Sequence, residues 1–177
     1  MPHADLPVRC LISAEQIAGR IAEMGRQIGA DYAGRDLLVV GVLKGSFVFM
    51  ADLVRALPTP AHCDFVKASS YGLGVASGEL TLHLDVTLPT AGRAVLLVED
   101  IVDTGKTSAW LMEHLRRKGA VQVRLCTLLD KPSRRKTPVT IDYCGFTIPD
   151  HFVVGYGIDC AEQYRCLPFV GYVPSGE

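Results

Sequence analysis

The sequence has no apolar run that approaches the roughly 20 residues required of a membrane-spanning helix. Its first residues, MPHADLPVRC, contain no apolar stretch of the kind found in a signal peptide. It also lacks an excess of either charge, because 18 Lys and Arg face 19 Asp and Glu, for a formal net charge of -1. Such a balance provides no long-range attraction to nucleic acid or to an acidic membrane. We therefore expect neither as a partner.

Paired cysteines are absent as well. The six cysteines are scattered without a C-x-x-C pair, and the five histidines are equally dispersed. A chain of 177 residues can bury a sizeable core and needs no disulfides to fold. We interpret the cysteines as free thiols in a reducing cytoplasm and expect no zinc site. Repeats, low-complexity segments and linkers are also missing, which favours one domain over residues 1–177.

What the chain does contain is an alternation of apolar strand-length runs with amphipathic helices. Residues 37–43 and 94–98 are continuously apolar, as is typical of strands buried on both faces. Strands are predicted at 37–43, 63–70, 80–86, 94–98, 121–129 and 152–155, and helices at 14–30, 47–57 and 107–118. This order predicts an α/β domain with a mostly parallel central sheet flanked by helices.

Local signals mark where several of these elements begin and end. Ser13 and Gln16 have the S-x-x-Q spacing of a capping box, and Pro58 stops the second helix. Gly119 follows the third helix, where a left-handed residue is common. The glycine-rich segment 71–79 predicts a mobile loop, and the last third of the chain predicts one strand and an irregular tail.

The most informative segment reads VEDIVDTGKT and follows the apolar run that ends at Val98. Ligands of open α/β sheets bind at the carboxyl ends of strands, and this segment lies at such an end. Gly105 allows a tight turn, and the amides of residues 103–107 can bind a phosphate at a helix N-terminus. A nucleotide-triphosphate P-loop needs a glycine where Asp100 stands, so a single phosphate monoester is the better ligand.

Three carboxylates beside a phosphate site require a ligand that carries more than phosphate. In a ribose 5-phosphate, the sugar hydroxyls could donate to Glu99 and Asp100, and the same carboxylates could hold Mg²⁺. Loss of a leaving group from the anomeric carbon would develop positive charge that these anions stabilise. Asp103 remains available as a general base. An ordinary strand-to-helix turn, the alternative, leaves the carboxylates unexplained.

At this point the segment resembles the phosphoribosyl-pyrophosphate signature of type I phosphoribosyltransferases. Other segments narrow the resemblance to the hypoxanthine (hypoxanthine-guanine) phosphoribosyltransferases of bacterial type, in the right order from about residue 10 to residue 172. VLKGS at 42–46 resembles the family's pyrophosphate loop, Ser70-Tyr71 its lid, LLDK at 128–131 and IPDHFVVGY at 148–156 its purine-binding segments, and 157–165 its last metal and pyrophosphate contacts.

The resemblance implies the type I phosphoribosyltransferase fold, with a small hood and a mobile lid loop. It implies transfer of the phosphoribosyl group from phosphoribosyl pyrophosphate to N9 of hypoxanthine and/or guanine, giving IMP or GMP, with Mg²⁺ as cofactor. A cytoplasmic homodimer or homotetramer is implied as well. A preference for xanthine or guanine is the alternative within the same enzyme class.

The resemblance also implies roles for single residues. Asp103 would take or share the proton at purine N7, and Lys131 would donate to O6, which disfavours adenine. Phe152 would stack on the purine, and the Val153 backbone would meet its edge. The implied phosphoribosyl-pyrophosphate ligands are Lys44, Gly45, Glu99, Asp100, Asp103, Thr104, Gly105, Lys106, Thr107 and Arg165, with Glu99, Asp100 and Asp159 as metal ligands and Ser70 and Tyr71 in the lid. We also expect a cis Leu43–Lys44 peptide.

A regulatory RNA-binding protein on this fold is the rival from a different class. It would use the basic segment KPSRRK at 131–136. The near-neutral charge and the purine-side residues Lys131, Phe152 and Asp159 favour catalysis instead.

Overall fold

Helices and strands alternate through the residues that the computed structural model describes, which are 7–70 and 80–174. The strands are β1 (Arg9–Ile12), β2 (Leu37–Val42), β3 (His62–Ser70), β4 (Leu80–Leu84), β5 (Ala94–Val102), β6 (Gln122–Asp130), β7 (Tyr143–Thr147), β8 (Phe152–Val154) and β9 (Val170–Val173). The helices are α1 (Ala14–Asp31), α2 (Phe47–Ala56) and α3 (Lys106–Arg117), with a 3-10 turn at Pro132–Arg134. This architecture confirms the predicted α/β class.

The central sheet has six strands in the order β4-β3-β2-β5-β6-β7. Its neighbours pair in parallel except β3 and β4, which are antiparallel. The chain leaves β2 toward β3 on one side and later continues from β5 toward β7 on the other. The strand order therefore reverses between β2 and β5, and such a reversal is where open α/β sheets bind ligands.

Two apolar clusters cover the two faces of this sheet, with α1 and α2 on one face and α3 on the other. Successive residues of β2 alternate between them, because Leu37 and Val39 belong to the first cluster and Leu38 and Val40 to the second. All residues of β2 are buried, as its continuous apolar run predicts.

The capping box at the start of α1 is confirmed. Ser13 Oγ accepts a hydrogen bond from the Gln16 amide at 3.3 Å, and Gln16 Oε1 accepts one from the Ser13 amide at 2.8 Å. The residues at helical spacing, Ile17, Ile21 and Met24, are buried against the sheet. Among the described residues no helix is long and apolar enough to cross a membrane.

Strand β5 is longer than the apolar run predicts. It continues through Glu99 and Asp100 to Val102, because its ladder with β6 pairs Glu99 with Thr127 and Val102 with Asp130. The interpretation of residues 99–102 as loop was wrong. The two carboxylates are consequently held by strand geometry rather than by a turn.

A second, three-stranded antiparallel sheet in the order β1-β9-β8 forms the hood that the resemblance implies. The irregular tail predicted beyond residue 155 was wrong, because β9 pairs with β8 and β1. Strands β1 and β7 also went unpredicted. Each is only four or five residues long and gains its partners from distant parts of the chain.

Candidate active site

The carboxylates at the end of β5 are held in an environment that disfavours their charge. Glu99 is 6% exposed, and its Oε1 accepts a hydrogen bond from Ser108 Oγ at 2.8 Å. Burial, followed by the nearby charge of Asp100, raises the pKa of Glu99 to about 8. Burial also raises the pKa of Asp100 to about 6, although backbone hydrogen bonds and Arg165 oppose it. The pair is therefore suited to a ligand that brings positive charge.

Three chain segments meet at the carboxyl ends of β2 and β5. A Cβ added to Gly45 would lie 1.9 Å from Asp100 Oδ2, so only glycine lets the loop after β2 pass this carboxylate. A Cβ on Gly157 would lie 2.3 Å from the Gly45 carbonyl oxygen. The segment after β8 therefore packs closely against the same loop. The Leu43–Lys44 peptide, directly before Gly45, is cis, as expected.

Lys44 and Arg165, both expected to bind phosphoribosyl pyrophosphate, face each other here. Lys44 Nζ lies 3.0 Å from Glu162 Oε2, and Arg165 Nη2 lies 3.1 Å from the same oxygen. Arg165 Nη2 also lies 2.8 Å from Asp159 Oδ1, while its Nη1 donates to the Gly157 carbonyl at 2.7 Å. Sequence reasoning missed Glu162, because its spacing from Arg165 signals only a local ion pair.

The predicted phosphate loop joins β5 to α3. Gly105 is the N-cap of α3 with φ 78° and ψ -5°, and at the helix start Thr104 Oγ1 accepts a long hydrogen bond, 3.4 Å, from the Lys106 amide. The Thr104 carbonyl accepts hydrogen bonds from the amides of Lys136 and Thr137, each at 2.9 Å. The loop is thereby anchored through its carbonyl, and the amides at the helix start can bind an anion. Lys106 is exposed, and Thr107 is partly buried.

The basic segment after β6, residues 131–136, stabilises this loop through hydrogen bonds to its backbone carbonyls. Arg135 Nε donates to the Asp103 carbonyl at 3.2 Å, its Nη2 donates to the Val102 carbonyl at 3.3 Å, and its guanidinium pairs with Asp130. The Arg135 side chain is 19% exposed. This inward orientation, which the sequence did not predict, weakens the RNA-binding alternative, since that alternative needs a basic surface.

Asp103 is reached by the other arginine of this segment. Arg134 Nε lies 3.4 Å from Asp103 Oδ1, which is buried and accepts no hydrogen bond among the described residues. Arg134 Nη1 also lies 3.6 Å from Asp150 Oδ2, and Lys131 Nζ lies 3.5 Å from Asp150 Oδ1. Asp150, which lies in an expected purine-binding segment but was given no role of its own, thus links the expected base to the expected purine donor.

The expected purine contacts differ in exposure. Lys131 is 8% exposed, Val153 is buried, and Phe152 is 55% exposed. A phenylalanine ring this exposed at a hood strand next to Asp150 is available to stack on a flat ligand.

Comparison with known proteins identifies the family of the chain. Residues 11–161 match the phosphoribosyl transferase domain. Hypoxanthine phosphoribosyltransferase of Salmonella typhimurium is 47% identical over 169 residues, which cover 94% of this chain and 95% of that protein. The chain belongs to the hypoxanthine (hypoxanthine-guanine) phosphoribosyltransferases, of the type I family. A hypoxanthine-guanine phosphoribosyltransferase from Bacillus anthracis shares the fold with a TM-score of 0.89 and 44% identity, over 95% of this chain and 99% of that one.

Some relatives of this phosphoribosyltransferase are much longer. The bifunctional protein TilS/HprT of Listeria innocua is 46% identical over 170 residues, or 96% of this chain. The chain spans only 26% of the length of that protein.

Two expectations drawn from the phosphoribosyltransferase resemblance stay predictions. Within 7–70 and 80–174, no three His, Cys, Asp or Glu side chains gather as a metal cluster, and Asp159 pairs with Arg165. Ser70 ends β3, and Tyr71 of the expected lid lies outside the described residues.

Proposed function

We propose that this phosphoribosyltransferase is a purine salvage enzyme that converts phosphoribosyl pyrophosphate and hypoxanthine and/or guanine into IMP or GMP and pyrophosphate. The observation that carries the proposal is the meeting, at the strand-order reversal between β2 and β5, of the pyrophosphate loop, the β5 carboxylates and the loop that begins α3. The names of the relatives support the same reaction. We further propose that residues 1–177 act as one phosphoribosyltransferase unit.

The 5-phosphate is assigned to the loop of residues 103–107. The amides at the start of α3 and the helix dipole favour an anion, an effect typically worth about 0.3–1 kcal/mol for the dipole alone. The hydroxyls of Thr104 and Thr107 add donors. Lys44, Gly45 and Arg165 are assigned to the pyrophosphate group, and Lys106 contributes its charge at the loop's outer side.

The ribose is assigned to the side of Glu99 and Asp100. As the bond from C1 to pyrophosphate breaks, positive charge spreads over the ring, and these carboxylates stabilise it more than they stabilise the ground state. Asp103 then holds or takes the proton at purine N7 through its Oδ1, which accepts no other hydrogen bond among the described residues.

The purine is assigned to the space between Lys131 and Phe152. Lys131 is buried and can only donate hydrogen bonds. The O6 of a 6-oxopurine accepts such a bond, whereas the 6-amino group of adenine is not an acceptor, so adenine is disfavoured. The exposed ring of Phe152 stacks on the base, and the Val153 backbone meets its edge.

Mg²⁺ is assigned to Glu99, Asp100 and Asp159. Carboxylate oxygens are the ligands that Mg²⁺ prefers, and a divalent cation would offset the cost of two adjacent buried carboxylates. When bound, Mg²⁺ supplies positive charge that neutralises the departing pyrophosphate.

We also propose a homodimer or homotetramer in the cytoplasm. An apolar groove of about 890 Å³ runs between α1, α2 and residues 165–168. Phe47 is 44% exposed in it, and only Arg165 among its lining residues is assigned to a substrate. A second copy that covers this groove would stand directly behind the pyrophosphate site. All six cysteines are free in the structure, and the cytoplasmic assignment rests on them.

The reaction is tested by incubating the protein with Mg²⁺, phosphoribosyl pyrophosphate and one base at a time, and measuring the nucleotide formed. Hypoxanthine, guanine, xanthine and adenine are offered separately. We expect turnover of hypoxanthine and/or guanine, and none of adenine. Turnover of xanthine above both would favour the alternative specificity, and no turnover with any base would refute the proposed reaction.

A further inference from the structure

One carboxylate occupies the space between the two cations assigned to pyrophosphate. Glu162 Oε2 lies 3.0 Å from Lys44 Nζ and 3.1 Å from Arg165 Nη2. Lys44 belongs to the loop after β2, whereas Glu162 and Arg165 belong to the segment between β8 and β9. A single oxygen therefore bridges two cations that lie 121 positions apart in sequence, from 44 to 165.

The turn that carries Glu162 holds an uncommon backbone shape. Ala161, Glu162 and Tyr164 have φ values of 50°, 65° and 70°, which L-residues other than Asn and Asp rarely adopt. Asp159 Oδ2 accepts a hydrogen bond from the Glu162 amide at 2.9 Å. The backbones of Cys160 and Gln163 form hydrogen bonds with each other across the turn. The surrounding contacts thus hold the turn in the conformation from which Glu162 reaches both cations.

The three side chains differ in how firmly they are held. Arg165 is 18% exposed and is fixed by the Gly157 carbonyl and Asp159. Lys44 is 52% exposed and Glu162 is 64% exposed, so water screens their pairing and keeps it weak. A pyrophosphate group carries more negative charge than one carboxylate and offers more acceptor oxygens to the same two cations.

We infer that Glu162 is a displaceable internal anion, which pairs with Lys44 and Arg165 in the empty enzyme and competes with the pyrophosphate group for them. The inference rests on the proposed function, since it takes Lys44 and Arg165 as pyrophosphate ligands. Each binding event must first break the contacts of Glu162, which lowers the affinity for phosphoribosyl pyrophosphate and for pyrophosphate. Glu162 is thus a positioning residue that favours release of the product.

The test compares E162Q with a matched charge control, E113Q. Glu113 is also exposed and paired with arginines, Arg116 at 3.9 Å and Arg117 at 3.1 Å, but it lies on α3. Both variants remove one negative charge. Titration calorimetry with magnesium pyrophosphate and with magnesium phosphoribosyl pyrophosphate, at low ionic strength, should show E162Q binding each about two- to fivefold more tightly than wild type. E113Q should bind like wild type.

A second variant keeps the test valid if the turn tolerates glutamine poorly. E162N suits the φ of 65° and is one methylene shorter, so it should also bind pyrophosphate more tightly. Weaker binding by both variants would mean that Glu162 preorganises the cations, and unchanged binding would mean that it does not compete. Either result overturns the inference alone. Failure of the wild-type protein to bind either ligand would overturn the proposed function as well.

Discussion

At the scale of single residues, Asp103 is the group on which the proposed transfer depends most. Its Oδ1 is buried and accepts no hydrogen bond within the described chain, while Arg134 Nε stays at 3.4 Å. The neighbouring Asp150 meets the same arginine and offers a natural control.

Asp103→Asn should therefore lower kcat by about 10²–10⁴, because the amide keeps the shape of the side chain but cannot take a proton. Binding of phosphoribosyl pyrophosphate should change little, since the loop amides remain. Initial rates and titration calorimetry measure the two quantities. Asp150→Asn, which acts only through Arg134 and Lys131, should lose less. If Asp103→Asn lost ligand binding along with rate, its role would be structural.

Gly105 allows a second test at this scale. Its φ is +78°, and an added Cβ would lie 2.5 Å from the Thr137 carbonyl oxygen. Gly34 has a similar φ of +71° with nothing within 4 Å. Gly34→Ala should cost about 1–2 kcal/mol in unfolding free energy, the price of the left-handed backbone alone. Gly105→Ala should cost more and should raise the KM for phosphoribosyl pyrophosphate severalfold, because the loop must shift away from residue 137.

Denaturant unfolding and steady-state kinetics on both glycine variants separate the two effects. An equal loss of stability in the two proteins, with an unchanged KM, would show that the loop absorbs the side chain.

Sequence reasoning could propose the site residues of one continuous motif, 99–107, because strand, turn and helix start are adjacent there. It missed Glu162, the role of Asp150 and the inward role of Arg135. Their partners lie far along the chain, 118 residues away for Lys44 and Glu162 and 32 for Asp103 and Arg135. Neither residue type nor spacing predicts such contacts, because they form only when the sheet has folded.

At the scale of elements, the prediction succeeded where a strand or helix is specified by its own apolar pattern. Helix α1, with a capping box and buried positions at helical spacing, and the fully buried β2 are examples. It failed at the end of β5, where polar residues continue the ladder with β6, and at the short strands β1 and β9. Those segments are stabilised by pairing with distant strands, and the local sequence pattern does not predict such pairing.

Asp64 shows how one side chain joins two elements. From β3, its Oδ2 accepts hydrogen bonds from the Thr87 amide at 2.7 Å and the Leu88 amide at 2.8 Å, and its Oδ1 accepts one from Phe65. Desolvation opposes the charge of this carboxylate, but these hydrogen bonds outweigh it and lower the pKa of Asp64. The strand is thereby joined to the segment that follows β4.

Asp64→Asn should lower the free energy of unfolding at neutral pH by about 1–2 kcal/mol, since the hydrogen bonds lose a charged acceptor. Because the pKa is lower in the folded state, this contribution is present above the unfolded value of about 3.9 and is lost as pH falls through the folded pKa. Urea unfolding from pH 7 down to pH 2 measures it. A difference between variant and wild type that stayed constant with pH would contradict the assignment to charge.

At the scale of the whole molecule, topology assembles the site from parts that the chain keeps apart. The reversal between β2 and β5 brings the pyrophosphate loop beside the carboxylates, and the hood segment after β8 closes over both through Gly157. The apolar groove lies behind this assembly and shares Arg165 with it. A subunit that covered the groove would therefore support the residues proposed to hold pyrophosphate.

Phe47→Ser tests whether a second copy occupies the groove. The residue is 44% exposed there, so the change removes apolar surface from the proposed interface with little cost to the core. Sedimentation velocity should show a dimer or tetramer for wild type and a shift toward monomer for the variant. Val121→Ser, at a 66% exposed site outside the groove, should assemble like wild type. Equal assembly of all three proteins would place the interface elsewhere, and the support for Arg165 would then have to come from its own chain, through Gly157 and Asp159.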